Sequence, residues 1–76
     1  MKTIDFGLNT DKYDGDKWNA LVEAFRQAVE ADGEASANWD CQGRTRHYSN
    51  AKMLEEALPQ YKFDISYEYY KCVAKK

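Results

Sequence analysis

His47 is the single histidine of the chain, and Cys41 and Cys72 are its two cysteines. Any Ser-His-Asp or Cys-His pair must run through His47, because the nucleophile needs an imidazole-like base beside it. Cys41 would face His47 across a short hairpin. Nothing in the local sequence marks either cysteine as a thiolate of lowered pKa, such as a helix N-terminus. The default reading of His47 is a satisfied or partly exposed strand histidine. A zinc site needs four donors, and Cys41, His47, Cys72 and a carboxylate follow no known ligand spacing. No metal and no cofactor are expected.

The carboxylates give a similar answer. In TDKYDGDKW, taking Gly15 as the sixth position of a calcium loop places Thr10 first, Lys12 third and Leu21 twelfth. Lysine and leucine at ligand positions supply no oxygen for calcium. Asp14 with Asp16, and Glu55 with Glu56, are neighbours in sequence. General acid-base chemistry needs carboxyls in a cleft with separated pKa values; these fall on an expected loop and an expected solvent face. The chain lacks a glycine-rich phosphate cradle. It also lacks the paired cysteines that metal chaperones carry after a first strand and the glycine-bearing anion loop of acylphosphatases. An enzyme is not expected.

Composition bounds the rest. The 76 residues are read as one domain, 1–76, with 43% hydrophobic and 14% aromatic residues. That is enough for one small core, and too apolar for a disordered chain. The net charge of −2 argues against a dedicated nucleic-acid binder, whose affinity rests on cations. Two cysteines without a CxxC pair, no leader-like start and no long apolar run predict a reduced, cytoplasmic protein with free thiols.

The elements that must position these residues follow from periodicity. Ile4, Phe6 and Leu8 alternate with Thr3, Asp5 and Gly7, which predicts a half-buried strand. Asp14 or Asp16 is placed to cap the next helix. Trp18, Leu21, Val22, Phe25, Ala28 and Val29 form one stripe of period 3.6, and Gly33 supplies its stop. Ala35, Ala37, Trp39 and Cys41 form the inner face of a second strand. Gln42-Gly43 reads as a turn, with Arg44–Tyr48 as a return strand, although that strand has no apolar face. Ser49 or Asn50 would cap a short helix carrying Ala51, Leu54, Ala57 and Leu58, ended by Pro59. A last strand runs from Tyr61 or Lys62 to Val73. The order β-α-β-β-α-β predicts an α+β, ferredoxin-like sandwich: a four-stranded antiparallel sheet with two helices on one face.

In that arrangement Phe63, Ile65, Tyr67, Tyr69 and Val73 face the core. The open face carries Asp5, Glu34, Asp40, Asp64, Glu68 and Tyr70. The expected function is a non-enzymatic protein-binding domain, whose acidic face meets a basic patch on its partner. Inhibitors of host machinery from phages and mobile elements, anti-CRISPR proteins among them, are the class its size suits. The alternative is a small nucleic-acid module using Arg44, Arg46, His47 and Tyr48. A monomer or a homodimer fits either reading.

Overall fold

A computed structural model describes residues 1–7, 15–40 and 43–76. Its elements are β1 (Lys2–Asp5), α1 (Gly15–Asp32), β2 (Glu34–Asn38), α2 (Arg44–Ala57), β3 (Lys62–Ser66) and β4 (Lys71–Lys75). They form a small α+β fold, with one four-stranded sheet and two helices. The strand order is β1-β2-β4-β3, with β1 parallel to β2 and the other pairs antiparallel, so the sheet is mixed. A parallel pair needs a long crossover connection, and α1 lies in the one between β1 and β2.

The N-terminal half follows its periodicity. Ile4 and Phe6 turn inward, and Ala35 and Ala37 of β2, with Trp39 just beyond it, are buried. Phe25, Ala28 and Val29 form the buried stripe of α1, with Trp18, Leu21 and Val22 packed at its margin. Gly33 ends the helix at φ 83°, and its N–H donates to the Val29 carbonyl. Asp16 lies inside the first turn of α1. Leu8, Asp14, Cys41, Gln42 and the calcium-like stretch from Thr10 to Asp14 lie outside the described residues.

The C-terminal half departs from expectation twice. Arg44–Tyr48 is not a strand; it is the opening of α2. The buried residues of α2 are His47, Asn50, Ala51 and Leu54, at spacing 0, 3, 4, 7. This is a helical stripe, and two of its four members are polar. Ser49 and Asn50 are therefore mid-helix, and Gly43 at φ 95° holds the cap position without a side-chain hydrogen bond. Ala57 is exposed, and Leu58 is buried just before Pro59.

The last strand is two strands. KFDIS and KCVAK pair as a hairpin joined by the turn 67–70. The turn reverses the facing assigned to the tail. Cys72 and Ala74 are buried, while Tyr67 and Tyr69 are exposed. Phe63 and Ile65 do pack against the core. Tyr70 takes φ 50°, a left-handed conformation that suits glycine and strains a bulky residue. Its carrier Ser66-Tyr67-Glu68-Tyr69-Tyr70 contains no glycine, proline or asparagine, and Ser66 alone is a weak turn signal.

Candidate interaction surface

The turn 67–70 sits on the first turns of α2. The hydroxyls of Thr45 and Tyr67 are hydrogen-bonded at 3.0 Å. Arg44 Nε donates to the Glu68 carbonyl at 3.4 Å. The Tyr48 and Tyr67 rings meet edge to face, with centroids 5.8 Å apart. Within the turn, the Tyr69 N–H donates to the Ser66 hydroxyl at 3.2 Å. Together these contacts gather Tyr48, Tyr67, Tyr69 and Tyr70, all exposed, at one end of the molecule; Tyr69 is 79% accessible.

Beneath them runs a line of aromatic rings. Phe63 stacks on Phe25 at 6.2 Å, Phe25 meets Phe6, and Phe6 meets Trp39 at 4.8 Å. Trp39 meets His47 edge-on at 5.2 Å, and His47 meets Tyr70 at 5.3 Å. His47 thus joins the tyrosine turn to the core. It is 1% exposed. Among the described residues, neither of its ring nitrogens nor the Trp39 indole nitrogen has a hydrogen-bond partner. Burial lowers the His47 pKa below the usual histidine value, because an imidazolium is poorly solvated there. Burial therefore disfavours the charged ring.

Other titrating groups are local. Burial pushes the Cys72 thiol up to about 12, with the Glu55 carboxylate adding to the effect, so this cysteine is a small apolar core residue. Hydrogen bonds from Arg26 and then Gln27 lower the Glu23 pKa to about 2 on the solvent face of α1. The Tyr61 hydroxyl donates to Glu30 at 2.6 Å, and Lys76 pairs with the other oxygen of Glu30 at 3.2 Å. These contacts tie the end of α1 to both ends of the hairpin. Among the described residues, no group of three or more His, Cys, Asp or Glu side chains could hold a metal ion, and no helix is long and apolar enough to cross a membrane.

The six residues expected on one acidic face are placed in separate settings. Asp5, Glu34 and Asp64 lie on the open face of the sheet, on β1, β2 and β3. Asp40 follows β2, and Glu68 and Tyr70 belong to the turn. Lys62 shares the open face as its parity implies, and the registers add Lys71 and Lys75: Glu34 lies opposite Lys75, and Lys62 flanks Lys75 on the other side. Lys71 pairs with Asp64 at 2.6 Å. Three lysines therefore meet three carboxylates there. The hairpin causes this, because it inserts β4 between β2 and β3.

Arg44, Arg46, His47 and Tyr48 are brought together, on a helix instead of a hairpin strand. Arg44, Arg46 and Tyr48 are exposed; His47 is not. The tyrosine turn was missed as a surface feature because its alternation continues that of β3. One signal pointed to the helix: stepping back from Leu58 through Leu54 and Ala51 at helical spacing arrives at His47. The chain matches no family model, no curated protein and no solved structure.

Proposed function

We propose that this chain is a non-enzymatic protein-binding domain, and that its contact surface is the tyrosine-bearing end formed by α2 and the turn 67–70. The observation that carries this reading is the cluster of Tyr48, Tyr67, Tyr69 and Tyr70, exposed together. Tyrosine brings a large, rigid apolar area and a hydroxyl at small entropic cost, and it is enriched among residues that dominate binding energy. The strained Tyr70 backbone supports it further. Glycine would fit that position better, and strain of this kind gathers at functional sites. The charge-balanced open face is a solvated surface in this reading, so the partner meets rings and the flanking Arg44 and Arg46, not a field of carboxylates.

The narrower expectation, an inhibitor of host defence machinery, rests on small size and the lack of a recognisable catalytic set. A second reading is favoured by the same geometry: two arginines beside exposed tyrosines also suit single-stranded nucleic acid. The edge-to-face Tyr48–Tyr67 pair weighs against it, because one ring's edge covers a face of the other and the two rings are not aligned as successive stacking platforms. One experiment separates them. A tagged protein is used to capture partners from native-host lysate treated with nuclease, alongside Tyr69→Ala and a Glu34→Lys control. Stoichiometric capture that survives Glu34→Lys and is lost in Tyr69→Ala is expected. Equal capture by Tyr69→Ala overturns the surface. Salt-dependent binding to a single-stranded oligonucleotide, with no protein captured, transfers the site to the second reading.

A further inference from the structure

β1 is an edge strand; no described strand lies beyond it. The N–H and C=O of one residue point to one side of a strand, and those of the next to the other. Phe6 donates its N–H to the Asn38 carbonyl, toward β2. Ile4 and Lys2 therefore also direct their backbone groups to β2, and Thr3 and Asp5 direct theirs outward. Beside this edge lies a groove of about 420 Å³ between β1 and α1, with Ile4 and Lys2 on one wall and Ala24, Gln27, Ala28, Ala31 and Asp32 on the other. The three alanines leave room above β1. An edge with outward amides and carbonyls is a template for another strand.

We propose that the strand it receives is β1 of a second copy, so that two chains form a homodimer joined edge to edge about a two-fold axis through Ile4. The sequence of β1 selects that register. Centring the axis on Lys2 or on Asp5 would set like charges directly opposite each other, which is destabilising. Centring it on Thr3 would set Lys2 against the partner's Ile4 and leave Asp5 opposite a residue before the strand. Centring it on Ile4 sets Thr3 opposite the partner's Asp5, and Asp5 opposite the partner's Thr3. All four outward backbone groups are then paired. Ile4 meets the partner's Ile4 in the non-hydrogen-bonded position, where side chains approach most closely. Each Ile4 also gains apolar cover from Ala24 and Ala28 in the mouth of the groove. The two sheets become one continuous sheet, and the tyrosine ends stay free.

The interface is short, below the roughly 1,200 Å² of standard stable complexes, so the dimer is weak and depends on concentration. Sedimentation velocity over a dilution series tests it. The wild-type chain is expected to shift from monomer to dimer as concentration rises. Thr3→Pro removes an outward N–H and leaves the β1–β2 ladder intact, so it is expected to stay monomeric with an unchanged circular dichroism spectrum. Ala24→Glu places a charge in the groove without touching β1 and is expected to do the same; it carries the test if Thr3→Pro fails to fold. Ile4→Cys reports the register. Facing Cα atoms in such a pair lie about 4.5 Å apart, within disulfide reach, so mild oxidation is expected to cross-link Ile4→Cys and not Lys2→Cys. A wild-type chain that is monomeric at about 1 mM overturns the proposal. So does a dimer that persists in folded Ala24→Glu, or cross-linking that is no faster for Ile4→Cys than for Lys2→Cys.

Discussion

The β1–α1–β2 unit and the α2–β3–β4 unit build the same core by different means. In the first, α1 buries Phe25, Ala28 and Val29 and exposes charged residues such as Glu23. Pattern and packing agree at every described turn. In the second, α2 buries His47 and Asn50 beside Ala51 and Leu54. Its apolar stripe is half-length, and it lacks a side-chain cap. Such a helix gains little from its own sequence pattern and is held by what packs on it: the Trp39 and Tyr70 rings around His47, and the hydrogen bonds of Thr45 and Arg44 to the turn. The difference teaches where adaptable surface is found. The self-consistent unit is scaffold. The unit stabilised by aromatic and polar contacts carries the exposed tyrosines.

Three tests break or sharpen that contrast. The largest effect is expected in the scaffold. Phe25 is fully buried and touches both the Phe6 and Phe63 rings, so Phe25→Ala should cost about 3–5 kcal/mol in urea denaturation. A loss near that of a surface substitution would mean that the two units do not share one core. The second effect is a pH dependence in the other unit. The His47 pKa is lowered in the folded state, so the unfolded chain takes up its proton more readily. Stability is full above the ordinary histidine value and falls as pH drops through about 6.5. The slope is limited to about 1.4 kcal/mol per pH unit for one proton. His47→Phe removes the two unpaired nitrogens and should flatten the profile between pH 7.5 and 5; an unchanged profile would assign the titration to other groups. The smallest effect is in the turn. Tyr70→Ala keeps the left-handed strain and loses the ring on His47, whereas Tyr70→Gly loses the ring and relieves the strain. The glycine variant should be the more stable of the two by about 1 kcal/mol in thermal melts. Equal stabilities would show that position 70 is unstrained.

The two halves also differ in legibility. The α1 stripe, the Gly33 stop, the inward Ala35, Ala37 and Trp39, and the Pro59 boundary were all readable, because each is set by local periodicity or by a backbone preference of glycine or proline. Arg44–Tyr48 misled because a histidine and an asparagine occupy core positions that a hydrophobic pattern counts as solvent. The tail misled because Phe63 and Ile65 run on into Tyr67 and Tyr69 without a break in alternation. For the candidate surface, Arg44, Arg46 and Tyr48 were legible as a basic and aromatic group. Their union with the turn tyrosines was not, since Thr45 and Tyr67 are 22 residues apart.

The sequence by itself determined that the chain has an α+β core, where its first helix lies, and which described residues of the first two strands turn inward. Those are consequences of periods of two and 3.6, written in consecutive side chains. Only the tertiary structure decided that the last alternating run folds back on itself and that β4 enters between β2 and β3. Pairing partners are chosen by long-range register, which no local pattern encodes. That single choice moved Cys72 into the core, carried Lys71 and Lys75 to the open face to balance its carboxylates, and left the tyrosines in the open.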